Sequence, residues 1–116
     1  MSEIIFISSP YSHKKKKVVK KRFKQVSKYT AQLVSEGKSA FSPITYGHIL
    51  CKYKDMPTDF EFWQDFCLAY LSKATELQVL KLDGWDESIG VKAEIQYAID
   101  NGIPVVYIEK PVKKSS

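Results

Sequence analysis

Apolar and polar residues follow one another along the chain in two rhythms, and the changes of rhythm mark the elements. Glu3 to Ser8 is a short apolar run bounded by serine and proline, the pattern of a buried strand. Across His13 to Glu36, Val18, Val19, Phe23, Val26, Tyr29, Thr30, Leu33 and Val34 recur at three- and four-residue steps. That spacing predicts an amphipathic helix, with Gly37 as its C-terminal cap. A second strand is expected at Ser39 to Ser42. Pro43 to Pro57 reads as a long aromatic-rich connection walling a pocket, because loops of that length in compact domains usually serve function. Thr58 then opens a helix with Glu61 placed for a capping box, and Phe60, Trp63, Cys67, Tyr70, Leu71 and Ala74 gather on one side. Leu77 to Leu82 predicts a buried strand, Ser88 to Asn101 a helix closed by Gly102, and Ile103 to Ile108 a last strand.

Strands alternating with helices imply a parallel sheet covered on both faces, since parallel neighbours require crossovers. The expected fold is α/β, a Rossmann-like three-layer domain with a small parallel sheet flanked by helices. Ligands in such sheets bind beyond the carboxyl ends of the strands. That rule gathers Ser8 to Ser12, Ser42 to His48 and Asp83 to Gly90 around one crevice. A length of 116 residues fits one core. The domain is expected over 1–109, with 110–116 as a flexible tail.

Charge changes this picture less than its total implies. The net charge of +5 is concentrated in Lys14 to Lys17, Lys20, Lys21, Arg22 and Lys24, the wet face of the first predicted helix. A solvated helix face accounts for these residues, so a nucleic-acid partner is not favoured. No apolar run approaches the roughly 18 residues of a membrane span, and the start has no signal-peptide layout. No membrane association and a cytoplasmic location are therefore expected. Cys51 and Cys67 form no metal-binding or disulfide pattern, and neither a metal nor a cofactor is implied.

The common phosphate-binding and nucleophile motifs are missing: there is no GxxxxGK[ST], GxGxxG or GxSxG. Instead the first strand runs into Ser8-Ser9-Pro10-Tyr11-Ser12, a turn whose hydroxyls, with Ser9 and Tyr11 foremost, can bond a sugar or phosphate. The segment LDGWDESIGVKAEI, residues 82–95, leaves a strand and enters a helix. Ser88 sits at the helix start and Gly90 leaves room for a ligand to approach backbone N–H groups, the physics of an anion site. One turn later Glu94 falls at the margin of the apolar stripe of Val91, Ile95, Ala98 and Ile99, where a carboxylate faces the crevice in partly apolar surroundings.

Several stretches together resemble the nucleoside 2-deoxyribosyltransferase-like superfamily, particularly its bacterial and phage members related to 2'-deoxynucleoside 5'-phosphate N-hydrolases. They are Ser9-Pro10-Tyr11-Ser12-His13, Phe41-Ser42-Pro43-Ile44 with His48, Pro57 to Trp63, and Gly84-Trp85-Asp86-Glu87-Ser88-Ile89-Gly90-Val91 leading to Glu94. The resemblance covers nearly the whole chain. It implies a Rossmann-like fold, a glutamate nucleophile at Glu94, and a base pocket near His48 and Cys67; the Trp85 indole, following Gly84 in the same loop, is placed either to stack on the base or to close the core. Ser88 stands where serine accompanies a nucleoside 5'-monophosphate substrate and an acidic residue accompanies a nucleoside. A homo-oligomer is also implied. Hydrolysis and base transfer both remain open.

Three positions depart from that family pattern. Phe6 replaces a strand tyrosine that steadies the nucleophile, Cys67 an aspartate near the leaving base, and Thr75 a second aspartate. Asp65 falls on the far side of its helix and Asp59 two turns away, so neither replaces the acid. Loss of acid assistance is worth about 10²- to 10⁴-fold. A nucleotide-binding protein without turnover is thus a second reading, and RNA binding through the basic helix a third. Trp63, with aromatic neighbours, is expected in the core.

Overall fold

The computed structural model describes residues 3–110. Four parallel strands, β1 (Ile5–Ser8), β2 (Ala40–Phe41), β3 (Glu76–Lys81) and β4 (Val105–Glu109), lie in the order β2-β1-β3-β4. The helices are α1 (Lys16–Ser35), α2 (Pro43–Leu50), α3 (Phe60–Leu71) and α4 (Ile89–Asp100), with a single 3₁₀ turn at Trp85–Glu87. The expected α/β three-layer fold is what forms.

The side-chain alternation of β1 divides the core. Ile5 and Ile7 point to one face and pack with Val26 and Leu33 of α1, whereas Phe6 points to the other and packs with Cys67 and Leu71 of α3 and Val91 and Ala98 of α4. All four residues of β1 are buried, as suits a strand paired on both sides and covered on both faces. The lysines of α1 face solvent, as the helical pattern predicts. No described helix is long and apolar enough to cross a membrane.

Several element boundaries differ from the sequence-based expectation for local reasons. The connection after β2 contains α2, started by Ser42, whose Oγ accepts from the Thr45 N–H at 3.1 Å, and by Pro43 in the first turn. Asp59, rather than Thr58, caps α3, its carboxylate accepting from the Phe62 N–H at 3.3 Å. In that helix Tyr70 is half exposed and stacks on Phe41 of the edge strand, with ring centroids 4.9 Å apart. In α4 the buried stripe is Val91, Glu94 and Ala98, and Ile99 is largely exposed. The α1 helix begins at Lys16, leaving a seven-residue approach from β1 that turns across the carboxyl ends of the strands. The expected tail lies outside the described residues from 111 onward.

Candidate active site

A cavity of about 690 Å³ opens at the carboxyl end of the sheet. Its walls come from the β1–α1 approach (Ser9, Tyr11, Ser12, His13), from α2 (Pro43, Ile44, Gly47, His48), from the start of α3, and from the turn into α4. All three sequence segments expected around one crevice contribute residues to it. Glu94 reaches the cavity from the second turn of α4, with Cys67 from α3 alongside.

Glu94 is only 4% exposed, so its carboxylate is nearly stripped of water. The Ser8 hydroxyl donates to Glu94 Oε1 at 2.6 Å. Burial raises the Glu94 pKa to about 7, and the hydrogen bonds from Ser8 and Cys67 oppose that rise. The Cys67 thiol has its own pKa pushed up, first by burial and then by the adjacent Glu94 charge, so it keeps its proton. The glutamate is therefore a weakly hydrated carboxyl group that lines the cavity, with Oε1 held by the Ser8 hydroxyl.

The second polar group in the cavity is a Tyr11–His48 pair. Tyr11 Oη and His48 Nδ1 are 2.7 Å apart, and the imidazole stacks on Phe23 with centroids 3.8 Å apart. Burial, then Lys52 and Lys20, lower the His48 pKa, which favours the neutral ring and lets the tyrosine hydroxyl donate. Trp63 also lines the cavity, and its indole N–H donates to the Pro57 carbonyl at 2.8 Å, pinning the loop before α3.

At the α4 end, Ser88 caps the helix, its Oγ accepting from the Val91 N–H at 3.2 Å. Ser9, 6% exposed, carries a hydroxyl with no hydrogen-bond partner among the described residues, although it lines the cavity. Such a buried donor is rare without a ligand or water to complete it.

Gly90 lines the cavity, and a Cβ there would lie 2.9 Å from the Phe60 ring, so the glycine also makes room for an aromatic side chain. Three other sequence-based assignments change with the structure in hand. Trp85 is not among the cavity-lining residues. Its ring packs against the core cluster around Leu77 and Val79 and toward Tyr107, centroids 5.7 Å apart, with Lys81 Nζ over it, so it closes the core. Phe6 is buried against Phe41, and the steadying hydroxyl comes from Ser8, two residues further along the strand. Thr75 lies at the opposite, amino end of the sheet. There its Oγ1 accepts from the Ile4 N–H at 2.9 Å and donates to the Ile4 carbonyl at 3.1 Å, so its departure from the family pattern does not touch the site.

Two residues do more than the sequence predicts. Ser8 is expected in the hydroxyl-rich turn at the crevice, and only the strand register shows that it faces α4 and bonds Glu94. Arg22 is expected among the solvated lysines, yet it is partly buried in the cavity wall. Its guanidinium donates to the carbonyls of Ser12 at 2.8 Å, Asp83 at 2.9 Å and Tyr11 at 3.5 Å. It is also the only arginine in the chain, a signal visible in the sequence.

A parallel β2-β1-β3-β4 sheet with a buried, hydroxyl-bonded glutamate at its carboxyl end defines an α/β protein with the nucleoside 2-deoxyribosyltransferase fold. The chain belongs to the family described as a domain of unknown function, DUF1937, whose model matches residues 3–110. Among solved structures it is similar to a 2-deoxyribosyltransferase from the psychrotolerant bacterium Bacillus psychrosaccharolyticus. The TM-score is 0.60 at 21% identity, covering 97% of this chain and 77% of that one. A comparison with curated proteins finds no match.

Proposed function

We propose that the protein cleaves or transfers at the N-glycosidic bond of a (deoxy)nucleoside 5'-monophosphate, with Glu94 as nucleophile. The observation that carries this reading is the 2.6 Å Ser8–Glu94 bond inside a cavity otherwise poor in carboxylate solvation. A desolvated carboxylate aimed into a cavity is costly to maintain and suits attack on a centre that becomes positive. The structural likeness to a 2-deoxyribosyltransferase supports glycosyl chemistry at nucleosides.

In the proposed reaction a Glu94 oxygen bonds to the anomeric carbon, and the C–N bond breaks with its electron pair leaving on the base. Water then displaces the carboxylate to give free sugar phosphate, or a second base does so to give a new nucleotide. Ser8 keeps one carboxylate oxygen occupied and orients the other. The phosphate is assigned to the Ser88 end of α4, with Ser9 and Tyr11 facing it, and the base to the side of His48 and Cys67.

The decisive experiment is a base-release screen over the common nucleoside monophosphates, with and without an acceptor base, on the wild type and Glu94→Gln. Base release in the wild type and its loss in the variant, with nucleotide binding retained, is the expected result. A specific observation favours one other reading: a thiol, not an acid, sits beside the nucleophile at Cys67. A wild type that binds monophosphates yet releases no base, even as Cys67→Asp, would make the protein a nucleotide-binding module.

A further inference from the structure

Arg22 is a cation without an anionic partner, placed in the wall of the cavity. Among the described residues the ion pairs are Lys38–Glu36, Lys81–Glu109 and Lys110–Asp83, and none includes Arg22. The nearest candidate, Asp83, offers Arg22 only its backbone carbonyl, since its carboxylate accepts from Lys110 Nζ at 3.0 Å. Burial lowers the Arg22 pKa and Asp83 opposes that effect, as for a partly buried guanidinium. The carboxylates of Asp59, Glu61 and Glu87 also line the cavity, and none lies within ion-pair distance of it.

The guanidinium is also held in one plane. Contacts to Tyr11, Ser12 and Asp83 use three of its five N–H donors and join the β1–α1 approach to the loop after β3. Gly84 has φ +88°, which disfavours any side chain there, and a Cβ on it would lie 2.6 Å from Arg22 Nη2. A planar fork fixed by three carbonyls, with donors to spare, is prepared for an oxyanion. Ser9, with its buried unpartnered hydroxyl, and Ser88, at the amino end of α4, line the same cavity.

We infer that Arg22 is the counter-ion of the substrate's phosphate, and that it determines the preference of this site for a nucleoside 5'-monophosphate over the nucleoside. The inference rests on the proposed nucleotide site but not on turnover. Lysine would not serve equally, because a point charge on a flexible stem cannot keep the fork or the three carbonyl contacts. One residue thus orders two loops and discriminates between ligands that differ by a phosphate.

The test measures affinities by calorimetry for the common deoxynucleoside 5'-monophosphates, the matching nucleosides and inorganic phosphate. The proteins are the wild type, Arg22→Gln and Arg22→Lys, and thermal melts of each report folding. The expected result for Arg22→Gln is a loss of about 10- to 100-fold for monophosphate and inorganic phosphate, with nucleoside affinity unchanged. Arg22→Lys should recover part of the phosphate affinity. Equal losses for nucleoside and monophosphate would make Arg22 a loop scaffold only and overturn the inference. Undiminished phosphate affinity in Arg22→Gln, or a wild type that binds both ligand classes equally, would overturn it too. If Arg22→Gln does not fold, the ratio of monophosphate to nucleoside affinity in Arg22→Lys decides, and a ratio equal to that of the wild type rejects the assignment. Failure of the Glu94 assignment would appear separately, as base release that survives in Glu94→Gln.

Discussion

Burial gives Glu94 two opposed effects that can be measured separately. Its pKa rises from the ordinary 4.5 to about 7, so between those values the folded protein keeps a proton that the unfolded chain has released. The contribution of this one group to stability is therefore greatest below about pH 4.5, falls as pH rises, and above pH 7 is a constant deficit of about 3 kcal/mol. Glu94→Gln should remove that deficit: its melting temperature should exceed that of wild type at pH 8 and converge with it near pH 4. A difference independent of pH would show that the carboxylate is not desolvated as described. Activity runs the other way, because only the ionised form attacks, and base release should climb with pH through about 7. Ser8→Ala removes a bond that favours the charged form, so the acidic limb of kcat/KM should move to higher pH, with Ser8→Thr moving it less. The positions of Glu94 and Ser88 at the crevice are legible in the sequence because a strand–turn–helix motif sets their spacing, while the roles expected of them come from the family resemblance. The Ser8–Glu94 bond and the place of Arg22 in the cavity wall are not, because a serine at a strand end and a cation in a basic helix acquire such contacts only through strand register and loop path.

The helices show how far periodicity carries and where capping chemistry takes over. The three-and-four spacing of α1 and the continuous apolar runs of β1 and β3 located those elements within a few residues. In contrast, α2 went unread: its eight residues include Gly47, which a helix interior disfavours, and its start depends on the Ser42 cap. The glycine in α4 yields a sharp prediction. Because a Cβ at position 90 would meet Phe60 at 2.9 Å, Gly90→Ala should destabilise the protein by about 1–3 kcal/mol in denaturant unfolding. Most of that loss should disappear in a Phe60→Ala background. An equal loss in both backgrounds would show that the glycine answers to something other than the ring. Ser88→Ala should cost about 1 kcal/mol through its lost cap to Val91, a cost that phosphate binding should not restore.

Across the whole molecule, Tyr46, Ile49, Phe62 and Tyr70 of α2 and α3 are half-exposed apolar side chains, and Tyr46 and Tyr70 lie against Phe41 of the edge strand β2. Exposed apolar area of this kind favours association, and we expect sedimentation at tens of micromolar to show a species above 13.3 kDa. A monomer throughout that range, with Tyr70→Glu behaving identically, would reject the expectation. The sheet order has a further consequence, in time. Strand β1 lies between β2 and β3, so it gains its second strand neighbour only once residues 76–81 have been made. At about 5–20 residues per second, the apolar stretch around Ile5 to Ile7 waits on the order of 4 to 15 s on the ribosome for β3. The lysines that follow it, Lys14 to Lys17 with Lys20 and Lys21, place like charge beside that unpaired strand, and like charge opposes association between copies.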